Sequence, residues 1–164
     1  MYIEKMLKQF GMQDSKKGNF ALQSRNHLSK DMSLKTDQER ELMRGIPYAS
    51  AVGSLMYSML CTRLDTTYVV SVTSRYQSDP GEKQWSAVKT ILKYLRRTKD
   101  LILNYGGSEL KIDGYSHSDF QSNVDDRKST FRFIFTCNRG AISWKSSKQS
   151  TTVDSNTEAE YIAA

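Results

Sequence analysis

The feature that most constrains this chain is a change of hydrophobic period near Asp100. Before it, apolar residues recur at helical spacing; after it they alternate, as strands require. Tyr48, Val52, Leu55, Met56, Met59 and Leu60 fill one stripe of a helix opened by Pro47, where the missing N–H of proline costs no helical bond. A second helix is expected through Tyr68, Val69, Val72 and Tyr76, with Asp65 as N-cap and Asp79-Pro80-Gly81 as its end. A third runs from Glu82 to about Arg97, with Trp85, Val88, Ile91, Leu92 and Leu95 on its apolar side. Beyond Asp100, four stretches read as strands: Leu101 to Tyr105, closed by Gly106-Gly107, then Leu110 to Ser118, Phe131 to Cys137 and Ala141 to Lys145. The tight Asn138-Arg139-Gly140 turn and the other short connections imply an antiparallel meander. Ser155-Asn156-Thr157-Glu158 is a capping box that starts a last helix.

At the other end, Tyr2, Ile3, Met6, Leu7 and Phe10 predict a short amphipathic helix that stops at Gly11 and has no visible partner. From Asp14 to Gly45 the chain is polar and reads as a linker, with the first helix cut away from the domain to which it belongs. The pattern divides the chain at residues 1–46, 47–100 and 101–164. The class is α+β, a helical region followed by a three-stranded meander and a helix.

Charge is unevenly placed. Residues 1–46 carry nine Lys/Arg against six Asp/Glu, residues 47–100 eight against four, and residues 101–164 seven against eight. A basic body beside a cluster of carboxylates suits a protein that grips a polyanion and does metal chemistry on it. No apolar run approaches the roughly 20 residues of a membrane span, and the start lacks the apolar core of a signal peptide. The expected location is intracellular, cytoplasmic or nuclear, with no membrane partner. Cys61 and Cys137 stand far apart without a CxxC, so they read as buried small hydrophobes.

The chemistry is expected on the strand Ile112 to Phe120. Tyr115, His117 and Asp119 share one face, because side chains alternate along a strand. His117 and Asp119 could bind a metal, act as acid and base, or end a strand in polar residues. On the last helix Glu158 is occupied in capping, and Glu160, about 200° further round the axis, is free for another task. Lys89, Lys93 and Arg96 form one stripe of the third helix, with Arg97 and Lys99 beyond. That stripe is either a solvated face or a ridge that contacts phosphates.

Six motifs in order carry a family resemblance. Tyr48-Ala49-Ser50-Ala51-Val52-Gly53-Ser54-Leu55-Met56-Tyr57, Leu92-Lys93-Tyr94-Leu95, Gly114-Tyr115-Ser116-His117-Ser118-Asp119-Phe120, Asp126-Arg127-Lys128-Ser129-Thr130, Ala141-Ile142-Ser143-Trp144-Lys145-Ser146 and Thr157-Glu158-Ala159-Glu160-Tyr161 together resemble the plant copia-type retrotransposon Pol polyprotein. The resemblance spans essentially the whole chain. It implies a reverse-transcriptase tail helix and linker (1–46), a helical connection region (47–100) and a partial ribonuclease H-like domain (101–164). The implied fold is α+β, a truncated member of an α/β family, with an incomplete antiparallel meander plus its first helix. The implied activity is hydrolysis of the RNA strand of an RNA:DNA hybrid with Mg2+ or Mn2+, with the rest of the polyprotein as a further partner.

By the same resemblance, Glu160 matches the family's metal-binding glutamate, and His117 stands where its first aspartate does. Imidazole offers a single softer donor and cannot bridge two hard cations. Asp119 faces the same way but lies about 6.5 Å further along the strand, which makes it a weak substitute as ligand or catalytic group. The chain is therefore expected to be catalytically inactive. A changed turn is expected at Phe131-Arg132. In the family the first strand has a second neighbour; here residues 110 to 118 are expected to leave an open edge prone to self-association. Two other readings stand beside this one. One is a nucleic-acid-binding module that uses Lys89, Lys93, Arg96, Arg97, Arg127, Lys128, Lys145 and Lys148; the other is an inert fragment.

Overall fold

The computed structural model describes residues 2–21, 28–106, 110–119, 123, 125–153 and 155–163. Gly107 and Phe120, which the sequence places in a turn and at a strand end, lie outside them. Residues 1–101 and 102–164 form two compact units, one helical and one built on a sheet, so the class is α+β.

The helical unit contains α1 (Tyr2–Gln9), α2 (Asp37–Arg44), α3 (Tyr48–Cys61), α4 (Thr67–Ser74) and α5 (Glu82–Arg97). Its core is the expected stripe of α5. Val88, Ile91, Leu92 and Leu95 have no exposed surface and pack in one cluster with Val52 and Leu55 of α3, Val70 of α4 and Ile3, Met6 and Leu7 of α1. Each such side chain contributes roughly 1.5–3 kcal/mol on leaving water. At the start of α5, Gln84 is fully buried, and both ends of its amide are bonded. Its Oε1 accepts from the Gly81 amide at 3.1 Å and its Nε2 donates to the Ser29 carbonyl at 3.0 Å, which removes the cost of burying it.

The first helix does have a partner. Its apolar face joins the core, and the turn at Gly11 directs the chain back over it. Gly11 has φ +63°, its amide bonds the Lys8 carbonyl at 3.2 Å, and the Met12 amide bonds the Leu7 carbonyl at 2.7 Å. This is a glycine-terminated helix end, sealed by burial of Leu7 and Met12. The stretch expected to be a linker is also structured in part. Gly18 crosses α5 so closely that its amide bonds the Lys93 carbonyl at 3.0 Å, and a Cβ there would meet Lys93 at 3.1 Å. Helix α2 begins with a reciprocal box, the Glu39 amide donating to Thr36 Oγ1 and Glu39 Oε2 accepting from the Thr36 amide. It carries no apolar stripe, because Met43 is its single buried residue.

Three further expectations are corrected in this unit. Asp65 does not cap α4. It lies in a 3-10 turn, Leu64–Thr66, and Thr66 precedes the helix. Met56 and Leu60 of the α3 stripe are exposed, because the core reaches only Tyr48, Ala51, Val52, Leu55, Ser58 and Met59. Cys61 is an exposed thiol at the end of that same helix.

Asp65 instead neutralises a buried cation. Arg63, with 3% of its side chain exposed, makes two parallel bonds to the Asp65 carboxylate at 3.0 and 2.7 Å and donates to the Thr98 carbonyl at 3.2 Å. The Tyr94 hydroxyl donates to the same carboxylate at 2.7 Å. Burial alone would raise the Asp65 carboxyl, but the bonds from Arg63 and Tyr94 hold it below the usual carboxylate value.

In the second unit, β1 (Ile112–Asp119), β2 (Thr130–Cys137) and β3 (Gly140–Lys148) form an antiparallel sheet in the order β1-β2-β3, followed by α6 (Asn156–Ala163). The β2–β3 turn places Asn138 and Arg139 at φ +49° and +64°, the left-handed pair that a tight hairpin requires. Residues 101–105 are not a strand. Tyr105 donates its hydroxyl to the Ala141 carbonyl at 2.9 Å, and Gly106 bonds the Asn138 carbonyl at 3.2 Å, so the segment meets the hairpin end without joining its ladder. Phe131 and Arg132 are not in a turn either; they pair with Ser118 and His117 in the middle of the sheet. The last helix is capped as expected on one side of its box, Glu158 N donating to Ser155 Oγ at 3.1 Å.

The Asp65 carboxyl titrates lower in the folded chain than in the unfolded one. Its contribution is complete above about pH 4 and is lost as pH falls through the folded value. Asp65→Ala, which strands the Arg63 guanidinium, is expected to cost roughly 2–4 kcal/mol at neutral pH. The loss, followed as the melting of helical circular dichroism, should shrink as pH falls below the usual carboxylate range and Asp65 is protonated.

Candidate functional site

The sheet register builds the site. His117 of β1 lies opposite Arg132 of β2, and Asp119 lies opposite Thr130. Residues two apart on one strand share a face, so His117, Asp119 and the cross-strand Arg132 converge there. Helix α6 supplies Glu160. The structure thus brings together the three residues singled out on this face and helix, and it adds Arg132.

Both oxygens of Asp119 and both of Glu160 have a partner. His117 Nε2 lies 3.1 Å from Asp119 Oδ1, and His117 Nδ1 lies 2.9 Å from Glu160 Oε1. The Arg132 guanidinium ion-pairs with Asp119 Oδ2. Glu160 Oε2 accepts the backbone amide of Ser118 at 3.1 Å. The imidazole therefore bridges two carboxylates. A neutral ring can donate to only one of them, whereas the imidazolium donates to both.

Glu160 also ties the last helix to the first strand. Its two oxygens join a side chain and a backbone donor of β1, while Gln149 Nε2 beyond β3 donates to the Ala159 carbonyl at 3.1 Å. Ala159 itself is fully buried. Chain spacing could place Glu160 on the free side of α6. That it meets His117 follows only from how α6 packs on β1.

The basic residues divide between the two units. On α5, Lys89, Lys93 and Arg96 are half-buried and Arg97 is exposed, with its guanidinium bonded to Asn19 Oδ1. In the second unit, Lys128 Nζ donates to the Ser150 carbonyl at 2.6 Å and Lys148 Nζ pairs with Asp126 at 2.6 Å, so both hold the 125–129 loop to the end of β3. Burial would raise the Asp126 carboxyl, but the bond from Lys148 and the amide of Lys128 lower it. Arg127, at φ +54°, and Lys145 are exposed.

Over 163 residues, 99% of this chain, the sequence is 46% identical to the retrovirus-related Pol polyprotein from transposon TNT 1-94 of Nicotiana tabacum. It is 40% identical over 115 residues to the corresponding polyprotein from transposon RE2 of Arabidopsis thaliana. The chain belongs to the retrovirus-related Pol polyproteins of copia-type transposons. It spans 12% of the tobacco Pol polyprotein and 8% of the Arabidopsis one. It is also 42% identical over 122 residues to the secreted RxLR effector protein 161 of Plasmopara viticola, 74% of this chain and 86% of that protein. No family model matches the chain, and no solved structure does.

The divalent metals implied by resemblance can be tested against this Pol segment's donor set. Hard cations take carboxylate oxygens that are free to turn toward them. Here Asp119 is held by Arg132 and His117, and Glu160 by His117 and the Ser118 amide. Among the described residues, no group of three or more His, Cys, Asp and Glu side chains is disposed to hold a metal ion. The residues present do not fit a two-metal centre. No helix among the described residues is long and apolar enough to cross a membrane.

If Glu160 ties α6 to β1, Glu160→Ala should speed hydrogen exchange at the Ser118 amide and along α6 while leaving exchange in α5 unchanged. Amide exchange read by mass spectrometry checks this. The cluster is half-exposed, so a loss of about 1 kcal/mol or less in global stability is expected.

Proposed function

We propose that residues 102–164 of this Pol segment are a ribonuclease H-like sheet and helix whose carboxylate centre is closed by its own His117 and Arg132. The module then does not hydrolyse the RNA strand of RNA:DNA hybrids. The observation that carries this reading is the seating of His117 between Asp119 and Glu160. Two-metal hydrolysis needs oxygens that can clamp cations about 4 Å apart, and an imidazole in the central position supplies no bridging oxygen. Arg132 strengthens the closure, because its charge replaces on Asp119 what a metal would provide.

Incubated with a labelled RNA:DNA hybrid and Mg2+ or Mn2+, the whole chain is expected to leave the RNA strand intact, at the level of its Glu160→Gln variant. Metal-dependent cleavage that disappears in Glu160→Gln would overturn the reading. His117→Asp alone is not expected to create cleavage, since Arg132 still holds Asp119.

A second reading concerns the helical unit, and a specific observation favours it. Residues 1–101 carry 17 Lys/Arg against 10 Asp/Glu, whereas residues 102–164 carry seven against eight. The excess positive charge therefore belongs to the helical unit, and nucleic acid is the polyanion it suits. Binding of an RNA:DNA hybrid, followed by fluorescence anisotropy, should weaken steeply as salt rises, with log K falling linearly against log salt. Flat salt dependence, or no binding at low salt, would remove this second reading.

A further inference from the structure

We infer that the helical unit contains a discrete phosphate-binding notch formed by Lys17, Arg96 and Lys99, and that this notch seats a backbone phosphodiester of a bound nucleic acid. The inference rests on the second reading above and gives its contact a place. The observation is a cavity of 360 Å³ lined by Glu4, Leu7, Gln13, Lys17, Arg96 and Lys99. Among the described residues that line it, three of six are cations and one is an anion, and they come from α1, the segment after it, the last turn of α5 and the stretch just past that helix.

The architecture explains why they meet. The glycine turn at Gly11 folds the chain back over α1, and Ser15 Oγ donates to the Met12 carbonyl at 2.8 Å. The chain is then fixed on α5 by the bond from Gly18 N to the Lys93 carbonyl and by Asn19 on Arg97. Lys17 is thereby held beside Arg96, one turn beyond Lys93. Lys99 approaches from just past the helix, where it pairs with Glu4 Oε1 at 2.7 Å. Leu7 forms the apolar floor and is buried.

A notch with a planar guanidinium and two ammonium groups around an opening fits a tetrahedral anion. The guanidinium can engage two of its oxygens and each lysine can add a charge-assisted bond. Glu4 acts as the resident anion. It holds Lys99 in place when no ligand is bound and competes with a phosphate for it. A carboxylate on the rim of a cationic notch therefore lowers affinity, and its removal should raise it.

The test uses the whole chain and a fluorescein-labelled RNA:DNA hybrid, read by anisotropy over a series of salt concentrations, with inorganic phosphate as competitor. Lys17→Gln and Arg96→Gln should each weaken binding by about three- to tenfold and reduce the salt slope by about one. Glu4→Gln should tighten it. Lys83→Gln, which removes the same charge at the opposite end of α5, should have a clearly smaller effect. Circular dichroism establishes that every variant is folded. If Lys83→Gln weakens binding as much as Arg96→Gln, or if Lys17→Gln and Arg96→Gln bind like the parent, the notch is overturned while binding by general charge stands. If the parent chain does not bind the hybrid at low salt, the nucleic-acid reading fails and the notch fails with it. Preference for vesicles of phosphatidylserine over the hybrid, lost in Arg96→Gln, would overturn the assignment to nucleic acid.

Discussion

Burial of the apolar stripe of α5 is the constraint on which the helical unit depends. Val88, Ile91, Leu92 and Leu95 lose all contact with water, and α1, α3 and α4 each contribute side chains to the cluster around them. Because the stripe must face inward, Lys89, Lys93, Arg96 and Arg97 are left on the other faces of the same helix. Hydrophobic burial thus decides where the cations stand. The segment from Gly11 to Asn19, placed across the end of α5, then determines which of them share an opening.

In the sheet unit the governing interaction is electrostatic. Asp119 and Glu160 flank one imidazole from a strand and a helix, and half-buried carboxylates are stabilised by donors and opposite charge beside them. In this chain His117 and Arg132 are in contact with the carboxylates, together with a backbone amide of β1. His117 is the residue that links the two acids. It sets one ring nitrogen against each of them, and the arrangement holds a helix to a strand.

Much of this was legible in the sequence. Helix α5 could be read nearly to its ends, because its apolar spacing is uninterrupted and Asp79-Pro80-Gly81 precedes it. The three paired strands could be read from alternation, with ends differing by a few residues. Helix α2 was not legible, since a polar helix with one buried methionine carries no stripe, although Thr36 and Glu39 do carry a capping signal. The stretch 101–105 alternates like a strand, yet Tyr105 spends its hydroxyl on the Ala141 carbonyl and no strand forms. Asp65 is typical of N-caps, but a buried arginine two residues earlier was a stronger claimant for its charge.

The sequence by itself determined the family, the α+β class and the shared face of His117 and Asp119, because motif order and side-chain alternation are local properties of the chain. It also singled out Glu160 as a carboxylate available for a task other than capping. Tertiary structure decided what that task is. Only the β1–β2 register sets Arg132 opposite His117, and only the packing of α6 on β1 carries Glu160 to the imidazole and to the Ser118 amide. Likewise, only the fold of the first unit brings Lys17 beside Arg96, far apart in sequence. Such contacts depend on how elements meet, and no local pattern records them.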